Sequence, residues 1–410
     1  MLAISAVMTL GFGGVAHAGT ATPPPAAAAG AKASTLWNRS VYRGILTPED
    51  KTPGQTLGYS TALSADGSTA VLGTPSAKGY YGVAYVFEKA GSTWRQSAVL
   101  APATDYEEVG FAVAVSGDGR TIAAAAPMRA GGKVYVFGKS GAKWRQSTVL
   151  TAPNADKFDD FGESVALSGD GSTLVAGNNF HNGFEGSAYV FTRTGGGWSN
   201  PRELTATDAV ARDQFGNAVA VSKNGTKIAV GARGKNGEKG AVYTFAVKNG
   251  AWVQEAELAA SDGAAGERLG ESVALSGSGD VVAAGAPYHK TGVAYTFGRS
   301  QKWSQTAELV PGGLPTYPSD AYSVSVSGDG TVVGVGLPPR NGLSGAAAIF
   351  VRGGSGYTQK ATLVPSEFVG PTGGAGSSLS VSADGHTALI AAPYTSSSFD
   401  SGTAFIYRDR

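Results

Sequence analysis

The chain has 410 residues, a formal net charge of +1 and no cysteine. That length fits one large domain or two to three ordinary ones, with a substantial buried core. The balanced charge gives no argument for nucleic acid or an anionic membrane, and the missing cysteine excludes disulfides, thiolate catalysis and cysteine-based metal sites. Glycine is abundant at 61 residues but shows no Gly-X-Y period, which excludes collagen and points to many turns.

In chain order, the first element is an apolar run, "LAISAVMTLGFGGVAHA", ending in Ala16-His17-Ala18. The small-x-small ending fits signal-peptide cleavage, so residues 1–18 read as a signal peptide and the product as secreted. No Lys or Arg precedes the run; either the true start lies upstream of Met1 or the charged region is minimal. Residues 19–35, "GTATPPPAAAAGAKAST" in essence, read as a flexible linker. No later stretch approaches the ~18 apolar residues of a membrane span, so the mature chain is expected to have none.

Beyond the linker the sequence repeats. Ser-x-(Asp/Asn/Ser)-Gly recurs at Ser64, Ser116, Ser168, Ser222, Ser276, Ser327 and Ser382, at intervals of 52, 52, 54, 54, 51 and 55. Each copy carries four strand signals. An alternating stretch such as "SVALS" leads into the Asp-Gly turn, which favours a tight hairpin. A second strand such as "TLVAG" often ends at proline, as at Pro75, Pro127, Pro287, Pro338 and Pro393, which cannot donate to a ladder. The third reads "VAYVF" or a relative. The fourth sets an aromatic six residues before a leucine: Trp94 and Leu100, Trp144 and Leu150, Trp198 and Leu204, Trp252 and Leu258, Trp303 and Leu309, Tyr357 and Leu363. An even spacing places both on one face of the strand. Four antiparallel strands in about 50 residues is the period of a propeller blade, and no stretch shows helical periodicity. The Ala-, Gly- and Val-rich strands are expected near the axis and the aromatics farther out. The seventh copy stops after its third strand at Arg410, while residues 37–46 look like a spare fourth. The reading is an all-β, seven-bladed propeller of four-stranded antiparallel blades over residues 36–410, closed by the N-terminal strand in the last blade. Trp37 is nine residues before Leu46, out of register; a bulge or packing at the rim would account for it.

Stacked copies show Phe161-Gly162 and Phe215-Gly216 before the first strand, with Leu57-Gly58, Val109-Gly110 and Leu269-Gly270 as weaker versions, and Gly285-Ala286-Pro287 after the second. The pattern resembles the FG-GAP repeat of integrin α-subunit heads and many secreted bacterial proteins. Copy six departs, with Asp320-Ala321, and copy seven has Ala375-Gly376. The resemblance implies a seven-bladed, integrin-like propeller and no single activity. Many such repeats carry a calcium loop with several carboxylates. Here each turn holds one (Asp66, Asp118, Asp170, Asp329 or Asp384) or none (Asn224, Ser278), too few for a cation that takes six to eight oxygens. No cofactor and no metal are expected, calcium being the one ion the resemblance leaves open although the Asp-rich loop is absent.

Other chemistry is sparse. Acids two residues before the Phe position (Glu107, Asp159, Asp213, Glu267) should crowd one face, as cation or sugar acceptors or as loop caps; Asp208 and Asp262 lie upstream in the same loops. His181 and His289 follow the second strands of their copies, where they would approach one another in a shared site or stand as separate loop histidines. No His-Glu-x-x-His pair, nucleophile elbow, sialidase Asp-box or WD signature is present. Five of the six tryptophans share one register, which fits structural filling better than sugar stacking. The loops after the second strands break the repeat and supply candidate binding residues, His181, Glu185, Arg233, Lys235, His289 and Arg340, beside the acids Asp159, Asp213 and Glu267. Asn38 and Asn224 open glycosylation sequons. The sequence therefore predicts a secreted, monomeric, non-enzymatic binding module that recognises a protein or glycan through loops on one face. The alternatives are a lectin with a sugar pocket per blade, or a hydrolase or lyase using loop carboxylates.

Overall fold

The structure, a computed structural model, describes residues 36–50, 55–102, 107–128, 131–195, 197–312, 323–338, 345–365, 373–394 and 402–410. The leader, the linker, Asp320-Ala321 and Arg340 lie outside them. Seven antiparallel sheets succeed one another along the chain. Blade one is Ser60–Leu63, Thr69–Thr74, Val83–Ala90 and Thr93–Leu100, each strand paired to the next. Blades two to six repeat that order. In blade seven Ser378–Val381, Thr387–Ala392 and Thr403–Asp409 take Ser40–Leu46 as the fourth strand, with Leu46 opposite Ala404 and Ser40 opposite Asp409. The first strands of successive blades touch one another in an unbroken ring, which places them at the axis.

Each Ser-x-Asp-Gly turn is a self-contained network. In blade two the buried Ser116 hydroxyl donates to Asp118 Oδ1 at 2.5 Å and accepts the Thr121 amide at 2.9 Å, while Asp118 Oδ1 accepts the Arg120 amide at 3.0 Å. The same serine and acid recur in blades one, three, six and seven, and Asn224 replaces the acid in blade four. Burial raises the Asp66 carboxyl, but bonds from Ser64 and Ser68 outweigh it and hold the group below its ordinary range. The turns also bond to one another across the axis. Backbone N–H groups of Ala65, Asp118, Gly169, Lys223, Gly277, Gly328 and Ala383 reach carbonyls of Gly117, Gly169, Lys223, Gly277, Gly328, Ala383 and Ala65, at 2.8–3.1 Å. The circuit returns to its starting turn. Six of the seven x positions are Gly or Ala, because the turns crowd there: a Cβ on Gly117 would lie 3.1 Å from the Gly169 Cα.

At the other end of each first strand the Phe-Gly glycine meets the preceding blade. A side chain on Gly177 or Gly231 would collide with the carbonyl of Gly216 or Gly270, the Phe-Gly glycine of the next blade. Where blade two has Ala125 instead, Gly162 opposite it keeps the space open. Ser60, Ser164 and Ser323 then donate across the blade boundary to Gly110, Gly216 and Gly376 carbonyls at 2.9 Å. Apolar side chains fill seven clusters, one at each boundary between neighbouring blades. Phe161 and Phe215 are fully buried and meet third-strand rings, Tyr189 and Tyr243, edge-on at 5.6 Å. The register-sharing tryptophans are half-buried and pack against these clusters, the filling role expected of them.

Three details correct the sequence reading. Single four-residue turns, Ala77–Tyr80, His181–Phe184 and Lys235–Glu238, follow the second strands of blades one, three and four; positive φ at Gly79, Tyr80, Asn182, Gly183, Asn236 and Gly237 makes them left-handed turns, not α-helices, a shape the repeat did not announce. The fourth strand of blade three is split into Gly197–Trp198 and Arg202–Leu204, because Pro201 cannot donate to the ladder. Trp37 is not restored to register. A bulge at Tyr42/Gly44 exists, but equivalent bulges occur in other blades, and Ser40 occupies the tryptophan position. Trp37 instead lies buried between blades six and seven, its Nε1–H donating to the Gly385 carbonyl at 2.6 Å. Among the described residues no helix is long and apolar enough to cross a membrane.

Two outcomes follow from these contacts. Trp37→Ala should lower unfolding free energy by about 3 kcal/mol in urea titrations, since it empties a buried site and orphans a carbonyl. In blade five the turn acid is replaced by Ser278, 3.4 Å from Ser276 Oγ. Ser278→Asp should therefore stabilise the protein by about 0.5–1.5 kcal/mol in the same assay.

Candidate functional site

The two ends of the axis differ. The hydrogen-bonded turns gather at one end, and the first strands begin at the other, at an opening of about 610 Å³. The residue after the Phe-Gly position lines it in five described blades, Tyr59, Phe111, Glu163, Glu271 and Ser377, while Asn217 of blade four is buried. These side chains divide the mouth. Tyr59 and Phe111 stand with ring centroids 5.0 Å apart, and Tyr394 also lines the cavity. Facing them are Glu163 and Glu271.

The acidic half is tied to the second-strand loop of blade four. Arg233 Nη1 donates to Glu271 Oε1 at 2.7 Å, its Nε to Gln214 Oε1 at 2.5 Å, and its amide to Asn217 Oδ1 at 3.1 Å. Glu271 Oε2 is buried and makes no hydrogen bond. Burial pushes Glu163 from 4.5 up to about 7, with Asp160 and Glu271 adding repulsion against the pull of Arg233. Burial, then the charge of Asp159, takes Asp160 from 3.8 to about 6. The mouth is thus a desolvated acidic surface with one compensating guanidinium, facing aromatic rings.

The acids and bases singled out in the sequence pair within their own blades. Asp159 receives His181 Nδ1 at 2.7 Å and Asn178 Nδ2 at 3.1 Å. Asp213 receives Lys235 Nζ at 3.0 Å, Glu107 is bridged to Lys133 and Tyr135, and Glu267 Oε1 lies 2.8 Å from His289 Nδ1. These pairs strap the interblade connection to the loop behind it. His181 and His289 do not share a site; they stand in blades three and five, each within its own cluster. Glu185 is drawn to Asn182 Nδ2 at 2.6 Å, away from these pairs. Among the described residues of the expected loops, only Arg233 reaches the mouth's acids. Sequence reasoning missed Glu163, Glu271, Tyr59 and Phe111. The available signal was the position after Phe-Gly, where the strand alternation turns side chains toward the axis and residue type changes from copy to copy.

Residues 144–191, 198–245 and 252–297 match the family model for the FG-GAP repeat. Each matched segment runs from the outer strand of one blade to the third strand of the next. The chain is a seven-bladed β-propeller that carries FG-GAP repeats. Among solved structures it is similar to hydrazine synthase of Kuenenia stuttgartiensis, at a TM-score of 0.61 and 14% identity, over 89% of this chain and 99% of that one. A likeness at that identity concerns the fold. No curated protein matches in sequence.

The raised carboxyls have a sign that can be checked. Glu163 holds its proton more tightly folded than unfolded, so stability is lost as pH rises from about 4.5 through about 7. Glu163→Gln removes that loss. Its thermal midpoint should exceed that of the parent at pH 8, by on the order of 1 kcal/mol at the midpoint, and match it near pH 4.

Proposed function

We propose that this protein is an exported, non-catalytic binding module that docks a protein partner on its Phe-Gly face, with a lysine or arginine side chain of the partner seated in the axial mouth. The observation that carries the reading is the half-buried pair Glu163 and Glu271, which line one opening together with Tyr59 and Phe111. A guanidinium or ammonium there would recover Coulomb energy in a poorly solvated site and lie against ring faces. The rim residues differ from blade to blade, which favours one composite site over seven equal sugar pockets. Export rests on the apolar leader ending at Ala18. A monomer is the simplest form of such a module, because closure completes the seventh blade and leaves only the short outer strand of each sheet as an edge.

Arrays of cationic peptides and neutral glycans, probed with the parent and with a Glu163→Gln/Glu271→Gln variant, test this. Expected is peptide binding that weakens at least tenfold, about 1.4 kcal/mol, in the variant. In the parent, affinity should rise with pH through about 7 as Glu163 ionises. Binding confined to glycans would favour the lectin reading, and turnover of a glycoside or ester panel would establish an enzyme; either sinks the proposal.

A further inference from the structure

The outer straps described above differ in one blade in a way that is not a difference of stability alone. Blades three, four and five each place a Glu opposite the buried third-strand tyrosine: Glu203 with Tyr189, Glu257 with Tyr243, and Glu308 with Tyr295. Each adds a residue from the incoming connection: Asn154, Asp208 or Asp262. In blade three the Asn154 amide donates toward Glu203 and His181 at 3.1 and 3.4 Å. In blade four Lys235, buried, puts its ammonium between Asp208 Oδ2 at 2.9 Å and Asp213 Oδ2 at 3.0 Å. In blade five the corresponding side chain is His289, so the fixed central ammonium of blade four is replaced by an imidazole facing three carboxylates, Asp262, Glu267 and Glu308.

We propose that Asp262, His289 and Glu308 form a binding site for a divalent transition-metal ion of the zinc type. The imidazole supplies the independent sign. His289 is 4% exposed, and neither of its ring nitrogens completes a hydrogen bond. Nδ1 is 2.8 Å from Glu267 Oε1 without hydrogen-bond alignment, and Nε2 points into the gap between Asp262 and Glu308.

The spacing fits the ion. Nε2 is 3.4 Å from Asp262 Oδ2 and 3.6 Å from Glu308 Oε1, and all three ligand atoms lie within 4.8 Å of one another. A tetrahedron built on metal–ligand bonds of about 2.0–2.2 Å has edges of roughly 3.3–3.6 Å. A modest rotation of the half-exposed Asp262 would close the widest edge. The surrounding groups orient the ligands as outer partners of a metal do. Glu267 faces the far nitrogen of the imidazole, Tyr295 Oη donates to Asp262 Oδ1 at 2.8 Å, and the Tyr295 ring holds the imidazole edge-on at 5.8 Å. An imidazole in the set favours zinc-like ions over Mg²⁺ and Ca²⁺, which prefer all-oxygen ligands. Lys290 competes: its Nζ lies 2.6 Å from Glu308 Oε1 and 3.5 Å from Asp262 Oδ2. The side chain is 51% exposed and free to swing into water when a metal enters. One coordination position stays open to water or to a donor atom of a bound molecule.

The test uses Zn²⁺ as the probe. The chain, stripped with a chelator, is dialysed against graded free Zn²⁺ and its metal content counted, with Co²⁺ absorption as a second readout. About one zinc per chain is expected. His289→Gln and Glu308→Gln should each weaken binding at least tenfold. Glu267→Gln, a positioning change, should weaken it roughly tenfold and alter the Co²⁺ spectrum. Lys290→Met should tighten binding several-fold, and it is an exposed substitution that preserves the test if His289→Gln does not fold. His181→Gln in blade three should change nothing. No saturable zinc in parent or Lys290→Met, undiminished zinc in a folded His289→Gln, or equal retention of Mg²⁺ overturns the proposal.

Discussion

Seven backbone hydrogen bonds running from turn to turn around the axis are the constraint on which the rest of the molecule depends. A blade is a small twisted sheet with apolar residues on both faces and cannot bury them alone. The bonds fix how close the inner ends of neighbouring blades come, and that distance sets everything farther out. It requires small residues beside the turn serine and a buried hydroxyl to hold the turn's shape. It brings the Phe-Gly glycine of one blade onto the second strand of the last. Beyond that contact the sheets diverge, so larger side chains are needed with increasing radius: Ala and Val, then Tyr and Phe, then Trp at the rim.

Much of this was legible in the sequence because it repeats. A hairpin that must fit the same angular slot seven times leaves the same letters each time, and the paired spacing of aromatic and leucine survives the loss of almost any single residue. Closure by residues 37–46 was legible for the same reason, since a missing strand at one end and a spare at the other have one solution. Trp37 was not legible. Its position depends on a contact with Gly385, from the far end of the chain, and no local register encodes that. Nor was the split at Pro201 weighed, although the proline stood in plain view.

The mouth was harder to see, for the opposite reason. Its residues are those that do not repeat. Tyr59, Phe111, Glu163 and Glu271 look like noise when the copies are aligned, and they become a composition only when the ring brings them to one opening. The loop acids and histidines stood out by type, and the structure spends most of them on straps within single blades. A chemically conspicuous residue in a repeat can thus be spent locally, while the proposed binding surface assembles from the variable column beside the repeating one.

The stagger between repeat and blade has a consequence for how the protein is made. Six sheets are contiguous in the chain and can form one after another as synthesis proceeds. The seventh needs Ser40–Leu46 and Thr403–Asp409 together, so an emerging polypeptide carries an open arc of blades until Thr403–Asp409 has been released. Through that interval the first strand waits without its mate, and one flank of the arc stays bare. A chain that must also cross a membrane before folding would meet this delay on the far side, where a holding chaperone or rapid zippering of the two ends decides between a finished wheel and a tangle with its neighbours.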